Sequence, residues 1–170
     1  MIFPYRHWSP QVDASAFVAE SAEVMGRVSI GADSSIWYQC VLRGDVQDIR
    51  IGSRSNIQDH SMLHTSHNAT PCIVGNDVTV GHRVILHGCE VEDGCLVGMG
   101  SILMDRSRLE SGCLLAAGSL VPEGKVLHGG YLYAGAPARE RRELNPDEIA
   151  FLSVSATHYV TLSKTHIRQS

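Results

Sequence analysis

Aliphatic side chains recur at every sixth position along most of this chain. Val12, Val18, Val24, Ile30, Ile36 and Leu42 form a first run, Ile51, Ile57 and Leu63 a second, and Val74, Val80 and Leu86 a third. After a slip of one residue the ladder continues through Val91, Val97, Leu103, Leu109, Leu115 and Val121. The residue after the aliphatic one is often small or acidic, as in IGADSS and VGNDVT, and a small residue commonly stands four places on. A period of six fits neither the helical repeat nor simple strand alternation. It fits a short strand plus a turn, repeated so that three such units close one triangular coil. Coils of this kind stack at strand spacing, about 4.8 Å, and the ladder fills the interior of the prism.

Over about residues 10 to 125 the repeat resembles the hexapeptide-repeat proteins. The resemblance implies an all-β solenoid, a left-handed parallel β-helix, followed by a C-terminal α-helix. Residues 1–130 are read as the β-helix domain with an N-terminal cap. Residues 131–170 are read as a connecting segment and a helix packed on the prism. GGYLYAGAPARERREL is a Gly/Pro-punctuated connection in this reading, with the run Glu140 to Glu143 as a solvated turn. The helix is expected to start with Asn145 as N-cap and Pro146 in the first turn, with Asp147 and Glu148 at the positive end of its dipole. Ile149, Leu152, Ala156 and Tyr159 fall on one side and should face the prism, with the helix ending near Lys164.

At 170 residues the chain suits one domain with a real core. Its net charge of −4 and pI near 6.1 argue against nucleic acid or an acidic membrane surface as the main partner. No apolar stretch is long enough to cross a bilayer and the first ten residues hold no signal-peptide core, so the expected address is the cytoplasm. Five cysteines, odd in number and without a C-x-x-C pair, are expected as buried reduced thiols. Cys89, Cys95 and Cys113 fall within the repeat as small core residues. Trp8 and Trp37 are read as packing residues.

The histidines add chemistry. His82 and His87 are five residues apart, a spacing that brings them together neither on a helix nor on one face of a strand. Let the prism faces be a, b and c, with Val12 on a, and let RGDVQDIR and HTSHNATPCI be lengthened steps. Leu42, Leu63 and Leu86 then share face c, and Arg43, His64 and His87 follow them in adjacent coils, which stacks the imidazoles of His64 and His87. His82 lies two places after Val80 on face b, with Gln58 one coil before it, and points away from that pair. Three neutral imidazoles make a catalytic zinc set with a fourth position for water. That set closes only if a neighbouring chain supplies His82, most simply in a cyclic homotrimer with one site per interface.

The motifs RGD (Arg43 to Asp45), NIQDHSMLH (Asn56 to His64) and VGHRVILHG (Val80 to Gly88) resemble the γ-class carbonic anhydrases and their short bacterial relatives. The resemblance implies His64 and His87 as ligands from one subunit and His82 from the next, holding Zn2+, or Fe2+ or Co2+. It implies Gln58 as the residue orienting the water or bicarbonate, and an intersubunit ion pair between Arg43 and Asp45. The implied reaction is attack of metal hydroxide on CO2, reversibly giving bicarbonate. The acidic loops that export protons in the best-studied members are missing here. His67, with an ordinary pKa near neutral, is the candidate carrier in their place, against a bland role as a solvated loop residue. Tyr159 is the candidate for the region where those enzymes use an asparagine. His60 reads as an interface or supporting residue, and His7, His128, His158 and His166 as structural. Three alternatives stay open: a hexapeptide acyltransferase, on the strength of the fold and AGAPAR; an acyl-CoA thioesterase-type enzyme; and a non-catalytic metal-binding trimeric scaffold.

Overall fold

A computed structural model of the chain describes residues 1–67 and 70–167. Short parallel strands wind into a β-solenoid of about seven turns with one C-terminal helix. The ladder is its core: Ile36, Leu42, Ile57, Leu63, Val80, Leu86, Val97, Leu103, Leu109 and Leu115 are fully buried. Adjacent coils align ladder residue on ladder residue, as in Leu42–Leu63–Leu86–Leu103–Val121 on face c and Ile36–Ile57–Val80–Val97–Leu115 on face b. Each coil therefore sees the same apolar cross-section as the one before it. Leu109 sits between Val91 and Leu127 on face a. Leu109→Ala is expected to leave an unfilled methylene gap in this stack and to cost about 2–5 kcal/mol. A lowered denaturant midpoint with metal content unchanged would check it.

The small residue four places after each ladder position turns into the corner. Ser34, Cys40, Ser55, Ser61, Cys95, Ser101, Cys113 and Ser119 are all buried there. Ser55 and Ser61 donate their hydroxyls to the carbonyls of Gly75 and Gly81 at 2.7 and 3.0 Å. The five cysteines are free and buried, and burial pushes the Cys40 and Cys95 thiols up to about 12. The corner between faces b and c needs a left-handed residue, taken by His60, Arg83, Gly100 and Gly118 in successive coils. His60 thus holds a turn position, and His82 is the residue just before the equivalent turn position, Arg83.

The segment after the ladder differs from its reading as a plain connection. Tyr131–Ala134 continues face b in parallel with Leu114–Leu115, and Arg139–Glu143 returns antiparallel to it. The run Glu140 to Glu143 is therefore strand, not turn. The five residues Arg139–Glu143 are all exposed at the edge of the sheet, so no alternation marks them.

The helix runs Pro146–Ile167. Asn145 Oδ1 accepts from the Glu148 N–H at 2.9 Å while Glu148 accepts from the Asn145 N–H at 3.0 Å, a reciprocal cap. The helix packs on face b against strands 17–18, 35–36, 56–57 and 79–80 through Leu152, Ala156 and Ser163, with Tyr159 half-buried. Ile149, expected on this side, is 55% exposed. No helix among the described residues is long and apolar enough to cross a membrane.

Candidate metal centre

Face c positions the first two candidate ligands. His64 and His87 follow the buried Leu63 and Leu86 in register, so both rings leave the same face one coil apart. His64 Nδ1 and His87 Nε2 face each other at 3.3 Å. The far nitrogen of each ring meets a carboxylate: His64 Nε2 lies 3.0 Å from Asp45 Oδ1, and His87 Nδ1 lies 2.9 Å from Asp105 Oδ1. An ionised carboxylate only accepts, so the far nitrogens carry the protons and the facing nitrogens both present lone pairs. Two lone pairs this close repel unless a cation stands between them. Two nitrogens each 2.0–2.1 Å from one tetrahedral ion are about 3.3 Å apart. The donor set therefore fits a divalent metal, and the carboxylates stand where outer partners would orient ligating imidazoles.

The electrostatics favour the neutral His64 ring that a metal needs. Burial foremost lowers the His64 pKa, against the opposing pull of Asp45. At Asp45, burial raises the pKa, but hydrogen bonds and charge from Arg43 and His64 carry it below the ordinary value. At Asp105 burial is likewise outweighed, by Ser66 and His87. Arg43 Nη1 donates to Asp45 Oδ2 at 2.6 Å within the same chain, and Ser66 Oγ donates to Asp105 Oδ2 at 2.7 Å. Gly44 is required in RGD because a Cβ there would stand 2.7 Å from the Arg27 carbonyl oxygen in the preceding coil.

His82 stands apart. It sits in the corner turn where face c begins, and His87 ends that face's strand Ile85–His87. Its Nδ1 lies 2.8 Å from Asp59, directly below it in the preceding coil, which leaves Nε2 turned to other partners. Within one chain the described residues gather no set of three or more His, Cys, Asp or Glu around a common point. His82 and the buried Gln58 line one cleft of about 320 Å3 between face b and the helix, together with Met99 and Phe151. Gln58 Nε2 donates to Asn56 Oδ1 at 3.1 Å. Tyr159 packs edge-on against Trp37 at 5.5 Å, and burial, with the Asp59 charge behind it, raises its hydroxyl pKa. His67 is exposed, next to Ser66.

The structure thus brings together Arg43, Asp45, His64 and His87 as one cluster, and Gln58 and His82 as another. The carboxylates Asp59 and Asp105 escaped the sequence reading. Their signal was available: Asp59 and His82 each stand two places after a ladder residue on face b.

No family model matches the chain. It is 47% identical over 167 residues to the mitochondrial gamma carbonic anhydrase 1 of Arabidopsis thaliana, covering 95% of this chain and 61% of that protein. It is 51% identical over 160 residues to a carbonic anhydrase of Geobacillus kaustophilus, covering 94% and 87%. The chain thus spans under two thirds of the plant relative and most of the bacterial one. Among solved structures, a hexapeptide transferase family protein from Anaplasma phagocytophilum superposes with a TM-score of 0.92 at 46% identity, covering 95% of each chain.

Proposed function

The chain belongs to the γ-class carbonic anhydrase family, and from that membership we propose that it hydrates CO2 reversibly to bicarbonate at a metal site shared between subunits of a homotrimer. In this reading His64 and His87 of one subunit hold the ion with His82 of the next. The observation that carries it is the lone-pair pair at 3.3 Å, each ring backed by its own carboxylate.

A second feature supports the assembly. The outward residues of face c are Val41, Met62, Ile85, Ile102 and Leu120, one above another. Met62 and Ile85 are 45% and 38% exposed in the single chain. Face a instead interleaves Arg50, Glu90 and Arg108 with Ile73 and Val126, and the helix covers part of face b. An apolar stripe edged by half a ligand set suits a second copy of this chain. Five buried free thiols suit a reducing compartment, and we assign the cytoplasm.

A divalent ion, Zn2+ or alternatively Fe2+ or Co2+, supplies acidity when bound, lowering the pKa of water from about 15.7 to roughly 7. The chain's own residues do the rest. Asp45, Asp105 and Asp59 fix the tautomers of His64, His87 and His82, and Arg43 secures Asp45. Gln58 Oε1 accepts a hydrogen bond from the reacting water in the cleft. Tyr159 stands behind Asp59, and His67 carries the proton to solvent.

Protein purified without chelator is expected to be trimeric and to hold one divalent ion per chain. Stopped-flow CO2 hydration should vanish on chelation and return with Zn2+. Hydration indifferent to chelator, or a chain that binds no divalent ion, would overturn the reading. Acyl transfer, or cleavage of an acyl-CoA thioester, is the second reading, favoured by the name of the Anaplasma relative. Acetyl-CoA binding by calorimetry, with hydration at background, would prefer it.

A further inference from the structure

The polar residues beneath the helix are arranged in a sense that ends at Gln58. Ser35, Asn56 and Thr79 are outward residues of face b in adjacent coils, and the helix buries all three. Asn56 Nδ2 lies 3.1 Å from Thr79 Oγ1 and 3.4 Å from the Val78 carbonyl. Thr79 Oγ1 donates in turn to Ser155 Oγ on the helix at 3.0 Å.

A backbone carbonyl only accepts, so the Val78 oxygen, 3.4 Å away, weakly favours the nitrogen end of the Asn56 amide. Thr79 reinforces that choice, because its one proton goes to Ser155 and it can then only accept from Asn56. With Asn56 nitrogen committed on this side, its Oδ1 faces Gln58 and accepts from Nε2. Gln58 is left with Oε1 as the end that makes no hydrogen bond among the described residues, in the cleft it shares with His82. Rotating Thr79 to donate toward Asn56 would reverse both amides and offer an NH2 group to the cleft instead.

We propose that Thr79 and Ser155 are positioning residues through which the C-terminal helix sets Gln58 to act as a hydrogen-bond acceptor at the metal site. This deepens the hydration reading above and rests on it for the consequence to catalysis, not for the orientation itself. The sense of the relay is a property of the folded chain with or without metal. It ties the helix, which carries no ligand, to the chemistry at the corner of the prism.

The test compares Thr79→Val, Thr79→Ser, Ser155→Ala and Gln58→Ala in the full-length protein. The first readout is the Gln58 side-chain amide in 15N NMR of metal-free protein, by its shift and its hydrogen exchange. Thr79→Val is expected to move that resonance and speed its exchange about tenfold, with Ser155→Ala smaller in effect and Thr79→Ser close to wild type. The second readout is hydration by the zinc-loaded protein, where Thr79→Val should lower kcat/KM about tenfold with zinc stoichiometry unchanged. An unmoved Gln58 resonance in Thr79→Val overturns the relay whatever the activity does. A moved resonance with full activity in Gln58→Ala leaves the relay standing and overturns the role given to Gln58.

Discussion

Replacing His87 with alanine is expected to remove the bound ion and to drop CO2 hydration to the rate without protein. The substitution leaves His64 with no second imidazole from its own chain, and a structural or catalytic zinc is held by three or four protein ligands. Metal content should fall from about one ion per chain to near zero, because the two imidazoles left, His64 and the next subunit's His82, fall short of the three protein ligands a catalytic zinc needs. The fold should survive. Leu86, not His87, fills the core at this coil, and His87 lies on the outer face. The metal-free variant should therefore unfold within about 0.5 kcal/mol of metal-free wild type. Asp105→Asn grades the same argument: it keeps the ligand but removes the charge holding its Nδ1–H, and should weaken metal affinity about 10–100-fold. Metal analysis and stopped-flow hydration on the same samples read both variants. A His87→Ala protein that keeps its ion and its rate would sink the assignment.

The solenoid was legible because its period leaves one solution. A ladder of sixes, with HTSHNATPCI as a lengthened step, puts Leu63 under Leu86 and so stacks His64 on His87. The bulge at RGDVQDIR was legible as well, since only a lengthened step restores the register, and the pairing does shift between Gly26 and Val28. Carboxylates were harder. Asp59 and Asp105 sit at corner turns, where acidic residues stand for conformational reasons alone, so charge there carries little information until a partner is placed. The same counting that stacked the histidines also stacks Asp59 under His82, but the site role is visible only when both side chains are seen to meet. The hairpin at 131–143 was missed for the opposite reason. Its outer strand is exposed throughout, so nothing in its polarity alternates. Ile149 shows the limit of helical phase: the pattern puts it on the prism side, yet it is 55% exposed while Leu152 and Ala156 on that side are buried.

Co-assembly of two inactive variants should restore activity, and to a calculable level. His82→Ala chains keep His64 and His87 but lack the residue offered to the neighbour. His87→Ala chains offer His82 but lack the pair. Each homotrimer is expected to be empty and inactive. In a cyclic trimer each site joins the pair of one chain to His82 of the next. A site is whole only when a His82→Ala chain supplies the pair and a His87→Ala chain supplies His82. With random assembly from equal amounts the probability is one half times one half, so about one quarter of sites recover. Recovery should follow the product of the two fractions and fall on either side of the equal mixture. Metal bound per chain and hydration rate should trace the same curve. The outcome separates three arrangements that single variants leave confounded. A site built inside one chain gives no recovery at any ratio, since every chain in the mixture lacks a ligand. A site that does not use His82 leaves the His82→Ala homotrimer active by itself. Only a site split across the interface yields two inactive parents and an active hybrid, which is the arrangement proposed for His82 and His87.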